Sequence, residues 1–179
     1  MSLIKRILWY FKPLKTTVAN ISITAPSRKL AGKRVIVTGG TRGLGYYIAK
    51  RFAAEGGEVL ITGRDETKTA IVAKEIGCKY LCLDVTHLES FKGFFFHCKE
   101  GTRWVTKGIR VNALAPGVTA SDMTGYKRDN LYCENNCSRR AYLPEEVAEV
   151  AVFLASDTSR CITGQVLTTN MGNHLRCDW

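Results

Sequence analysis

Gly39, Gly43 and Gly45 lie in the run Thr38-Gly39-Gly40-Thr41-Arg42-Gly43-Leu44-Gly45, directly behind the apolar stretch Val35-Ile36-Val37. Glycines at this spacing let a backbone turn tightly, approach a pyrophosphate closely and bring the next helix down onto its strand. A helix opening at the turn adds unpaired N–H groups and the positive end of its dipole, which together hold phosphate. About twenty residues further on, a site for an unphosphorylated ribose carries a carboxylate. Here that place is Gly63, followed by Arg64. A guanidinium pairs with a phosphate through charge-assisted bonds where a carboxylate would repel it. Arg42, inside the glycine turn, is a second cation. Each arginine also reads as a solvated surface residue, but the pair flanking one phosphate position favours NADP over NAD as the ligand.

These residues need a strand, a turn and a helix in that order, and the surrounding sequence provides them. Arg34–Thr38 reads as a first strand and residues 43–55 as a helix with Leu44, Ile48 and Phe52 on one face, closed by Gly56-Gly57. Residues 58–62 form a second strand. Asp65 caps a helix over residues 66–76 that ends at Gly77, and a third strand covers 80–83, followed by Asp84. Residues 110–114 read as a later strand. Pro144 opens a helix with Glu145 and Glu146 in its first turn and Val147, Val150, Ala151 and Leu154 on one face, and residues 165–169 form a last short strand. Strands alternating with helices of this length predict an α/β, Rossmann-like, doubly wound parallel sheet.

Charge and cysteine content narrow the class. The chain has 179 residues and a formal net charge of +10, enough length for one ordinary core. Eleven of its 26 Lys/Arg lie in residues 1–54, which hold no acid, so the remaining residues are nearly neutral. No nucleic-acid motif accompanies the basic third, and nucleic acid is not expected as a partner. We divide the chain into a basic N-terminal extension, residues 1–30, and a single domain, residues 31–179. Within the extension Leu3, Ile4, Ile7, Leu8 and Phe11 make an apolar stripe beside Lys5, Arg6 and Lys12, a weak pointer to membrane-surface contact through residues 1–12. A docked or loosely ordered arm is the plainer reading. The seven cysteines lack paired metal-ligand spacing, so no metal is expected, and reduced thiols suit a cytoplasmic protein.

The chain resembles the short-chain dehydrogenase/reductase family, of NADP type. The resemblance rests on Thr38-Gly39-x-x-x-Gly43-x-Gly45, on Leu83-Asp84-Val85-Thr86 and on the run from Gly108-Ile109-Arg110-Val111-Asn112 to Pro116-Gly117. It continues through Ser121-Asp122-Met123, Pro144-Glu145-Glu146-Val147-Ala148 and Thr163-Gly164-Gln165-Val166-Leu167, covering about residues 31–90 and 104–172. It implies hydride transfer between NADP(H) and a ketone or secondary alcohol. It also implies a cofactor site made of Gly39, Thr41, Arg42, Gly43, Leu44, Gly45 and Arg64, with Asp84 and Val85 against the adenine. Pro116, Gly117, Val118 and Thr119 would lie beside the nicotinamide, and Ser121 stands where the family more often has threonine.

The middle of the chain departs from that pattern. The family carries an Asn-Asn-Ala-Gly turn, a catalytic serine motif and a Tyr-x-x-x-Lys pair between the third strand and the Ile-Arg-Val-Asn strand, and none of those motifs occurs in residues 87–107. A parallel crossover needs a dozen or more residues, so this interval holds one crossover and the sheet should lack about two strand-helix units. We therefore expect the strand at 110–114 to move beside the first strand, and an incomplete core to favour homo-oligomers. Tyr46 and Lys50 match Tyr-x-x-x-Lys by spacing alone, on the phosphate-binding helix, while His87 and His97 lie in the short connector. No catalytic residue is assigned. The expected form is an oxidoreductase fold impaired in turnover, whose small carbonyl or alcohol substrate would need the missing segment. The alternatives are an NADP(H)-binding interaction module and a basic protein of membrane surfaces.

Overall fold

The computed structural model describes residues 25–84, 108–133, 136 and 138–170. The apolar N-terminal stripe, Val85, the connector with His87 and His97, and residues 171–179 lie outside them.

β1 (Arg34–Thr38), β2 (Glu58–Gly63) and β3 (Lys79–Cys82) form a parallel sheet in that order, with Val35 opposite Val59 and Val37 opposite Ile61. Helices α1 (Gly43–Ala54) and α2 (Glu66–Ile76) cover one face. Side chains alternate across a strand, so Val37, Val59 and Ile61 point into that face and are buried with Ala49, Phe52 and Ala73. Ile36 and Leu81 point the other way and stay 52% and 45% exposed. The caps agree with the expectation: the Asp65 side chain accepts the Lys68 N–H, and Gly77 ends α2 in the left-handed conformation. Leu30, at the expected domain boundary, is fully buried, and the Ser27 and Lys29 N–H groups both donate to the Glu55 carboxylate.

β4 (Ala113–Pro116) and β5 (Val166–Thr169) form a separate parallel pair, preceded in the chain by α3 (Pro144–Ala155) in the case of β5. The expected move of the strand at 110–114 beside β1 is not what the chain does. The strand begins at Ala113, pairs only with β5 among the described residues, and leaves that edge of β1 without a described partner. Two interactions explain this. Arg110 is drawn out of the strand because its guanidinium donates to the carbonyls of Ser156, Ser159 and Ile162 at 3.0–3.1 Å. α3, whose C-cap Ser156 supplies one of the carbonyls Arg110 binds, packs along α1, and β4 and β5 stay with that helix. β3 and β5 also differ by one residue from the expected 80–83 and 165–169.

Candidate dinucleotide-binding site

Gly39 (φ +67°) and Gly43 (φ +52°) hold the turn after β1 in the left-handed region, where glycine alone costs nothing. The Gly40 N–H donates to the Thr62 carbonyl at 3.1 Å, tying the turn to β2. A Cβ on Gly40 would stand 2.8 Å from the Ile61 side chain, and one on Gly45 would strike the Gly39 carbonyl. The first turn of α1 is thus drawn hard against the loop. No side chain caps that end and no acid lies in its first turn. The Tyr46 N–H bonds to the Arg42 carbonyl, so the N–H groups of Gly43, Leu44 and Gly45 precede the helical ladder. The arrangement offers donors and a positive dipole end, with nothing of its own to neutralise them.

Gly63 ends β2 and is buried, while Arg64 beside it is exposed, as is Arg42. Neither arginine is paired with a carboxylate among the described residues. Thr69, fully buried, bonds through its hydroxyl to the Asp65 carbonyl at 2.5 Å and leans over Gly63. At the end of β3 the Leu83 N–H donates to the Gly63 carbonyl at 2.8 Å, which sets Asp84, half-buried, near the same strand ends.

Pro116 ends β4, and the Gly117 N–H donates to the Thr169 carbonyl at 3.2 Å. A Cβ on Gly117 would lie 2.9 Å from both Asn170 and Tyr142. The Val118 carbonyl accepts the Tyr142 N–H at 2.8 Å, and the buried Thr119 bonds back to the Gly117 carbonyl at 3.0 Å. Ser121 bonds to the Thr124 hydroxyl rather than to a neighbouring strand.

The contacts between α1 and α3 bring these strand ends to one side. Arg128 stacks on Tyr47 in the first half of α1 and pairs with Glu145 in the first turn of α3. Arg51 then bridges Glu55 and Glu149, each at 2.8 Å, and Lys33 ahead of β1 reaches Asp157 beyond α3 at 2.6 Å. The helices therefore run in the same direction, and the carboxyl ends of both strand groups face the same end of the molecule. Ligands of open α/β sheets bind at such an end.

Tyr46 and Lys50 do not form an acid–base pair of use to a substrate. The Tyr46 hydroxyl donates to Glu75 in a short bond, which pushes its ionisation above the ordinary phenol range, and the lysine at 3.4 Å does not reverse that. A tyrosine acid in carbonyl chemistry needs the opposite shift. No group of His, Cys, Asp and Glu among the described residues is arranged to hold a metal, and Cys78, Cys82, Cys133 and Cys161 are free thiols.

A sequence profile described as short chain dehydrogenase matches residues 33–105, and one described as Enoyl-(Acyl carrier protein) reductase matches residues 100–174. The chain belongs to the short-chain dehydrogenase/reductase family. The two matches meet inside the short connector. The chain is 47% identical over 70 residues to the 3-oxoacyl-[acyl-carrier-protein] reductase FabG of Chlamydia trachomatis, covering 37% of this chain and 28% of that protein. It is 36% identical over 74 residues to galactitol 2-dehydrogenase (L-tagatose-forming) of Cereibacter sphaeroides, covering 38% and 29%. The match thus spans under a third of the length of these relatives. Among solved structures, a short chain dehydrogenase from Bacillus anthracis superposes with a TM-score of 0.64 at 22% identity, covering 84% of this chain and 98% of that one. A short-chain type dehydrogenase/reductase from Mycobacterium ulcerans gives 0.66 at 19%, covering 82% and 91%. Members of the family use a nicotinamide dinucleotide, and the reduced parallel α/β fold agrees with these likenesses.

Proposed function

We propose that this chain binds NADP(H) chiefly through the adenosine half and, as it stands, does not turn over a carbonyl substrate. The observation that carries the reading is the closed cradle of residues 39–45, whose glycines admit no Cβ at Gly45 and whose helix end carries no acid. The residues fit a dinucleotide, since the free N–H donors, the positive helix end and the close backbone approach at Gly45 suit a pyrophosphate. Gly39, Thr41, Gly43, Leu44 and Gly45 hold the phosphates, Arg42 and Arg64 take the 2′-phosphate, and Asp84 and Val85 lie along the adenine. Pro116, Gly117, Val118 and Thr119 border the nicotinamide, which when bound supplies the hydride chemistry of the family. The chain's own contribution ends at binding and orientation. General acid–base help is worth roughly 10²–10⁴-fold, and no described residue is placed to give it.

In this reading residues 31–179 are one cofactor-binding unit, and the half-exposed Ile36 and Leu81 support self-association. No helix among the described residues is long and apolar enough to cross a membrane. Fluorescence titration should show NADPH bound more tightly than NADH, with Arg64→Asp narrowing or reversing the difference. Robust reduction of any carbonyl compound by the purified chain would overturn the second half of the reading.

A further inference from the structure

Gly63 has no left-handed φ, so its backbone does not call for glycine; the space around it does. A Cβ built there would run into the Thr69 hydroxyl and stand 2.6 Å from the Thr41 methyl. Thr69 cannot swing away. It is fully buried in the first turn of α2, and both its hydroxyl and its N–H bond to the Asp65 carbonyl, at 2.5 and 2.9 Å. Thr41 is held in the glycine turn, which Gly40 anchors to β2. Position 63 is the strand end at which a ribose-binding carboxylate would have to start.

We propose that Thr69, with Thr41, determines nucleotide choice by filling the space over Gly63, so that no carboxylate can be placed there and the ribose meets only the arginines, Arg64 and Arg42. The inference rests on the NADP(H) reading above and deepens it. Preference then comes from two sources: Arg64 attracts the 2′-phosphate, and the threonine pair bars the group that would take the free ribose hydroxyls. Introducing a carboxylate at 63 is therefore insufficient to recruit NADH unless the threonines are cut back first.

The test is a set of variants read by NADPH and NADH titration and by thermal unfolding. Gly63→Asp alone should lower the unfolding midpoint and gain no NADH affinity. Gly63→Asp with Thr69→Ala and Thr41→Ser should recover the midpoint and shift the NADH-to-NADPH affinity ratio at least tenfold toward NADH. Gly63→Ala supplies a second measurement: its destabilisation should largely disappear in the Thr69→Ala/Thr41→Ser background. A Gly63→Asp chain that folds as wild type and takes NADH, or a Gly63→Ala penalty unchanged by the threonine cuts, overturns the proposal. A wild-type chain that binds neither nucleotide overturns the underlying reading and this inference with it.

Discussion

The β1–β3 group buries Val37, Val59 and Ile61 beneath two helices, while in the β4–β5 pair Val166 and Leu167 remain exposed and the stability comes from polar staples. Arg110 binds three carbonyls, Asn112 bridges the Ile162 carbonyl and the Gln165 N–H, and Arg140 grips Glu146 with both nitrogens at 2.7–2.8 Å. One region is held by apolar burial around a closed turn, the other by directional bonds around a small strand pair. A turn built by neighbouring residues survives the shortening of a distant connector. A strand pair with no further strand beside it among the described residues is tied by such side chains to its own helix.

The largest effect expected is Gly45→Ala. Its Cβ meets the Gly39 carbonyl, whose carbon stands 3.0 Å away, and neither backbone can give way without opening the cradle. NADPH affinity should fall at least thirtyfold, about 2 kcal/mol. Unchanged affinity by titration would show that the first region is not the binding element. Next comes Arg110→Ala, which removes partly solvent-screened charge-assisted bonds, a loss of about 1.5 kcal/mol. Hydrogen exchange should accelerate at Ala113, Gly117 and Gly164, with the β1–β2 amides nearly unchanged. Equal acceleration in both regions would mean that they unfold as one unit.

A third test uses acid. Burial pushes the Glu55 carboxyl up, but the Lys29 and Ser27 N–H groups and Arg51 outweigh it and hold the group below the usual carboxylate range. Glu146 is likewise raised by burial and brought lower overall by Arg140 and the Leu143 N–H. A carboxylate with a lowered folded-state pKa stabilises the fold above its ordinary value, near pH ~4.3, and loses that contribution as pH falls through the lowered one. Urea midpoints should therefore drop below about pH 4.3, and Glu55→Gln should flatten that fall at the first region while leaving the Glu146 part in the second. The smallest effect is Lys33→Ala. Its partner Asp157 is 79% exposed and the pair is screened by solvent, so the unfolding midpoint should hardly move, and a clear drop would make this seam essential to joining the regions.

Much of the first region is legible in short runs of consecutive residues. Asp65 as a cap and Gly77 as a left-handed stop follow from local backbone chemistry, and both stand where the sequence puts them. The residue that closes Gly63 is not legible in that way. Thr69 is an ordinary helix residue until α2 folds back on β2, and only then does its hydroxyl lie over the strand end. Arg110 misleads for a related reason. In the sequence it continues an alternating run with Val111 and Asn112, yet the three carbonyls that claim it lie 46–52 residues away.

By itself, then, the sequence determined the pieces whose causes lie within a few residues: a glycine turn, a helix capped by Asp65 and stopped at Gly77, a parallel βαβ run and a helix start free of acid. It also determined that the Tyr-x-x-x-Lys and serine motifs of the family are absent from residues 87–107, because absence of a motif needs no fold to read. The tertiary structure alone decided that β4 stays with β5 instead of joining β1, because the carbonyls that claim Arg110 come from a distant segment and no local signal records them. It alone decided which neighbours close the strand end at Gly63. Local backbone preferences are written in consecutive residues; the spacing of layers and the contents of a crowded corner arise only when distant segments compete for the same volume.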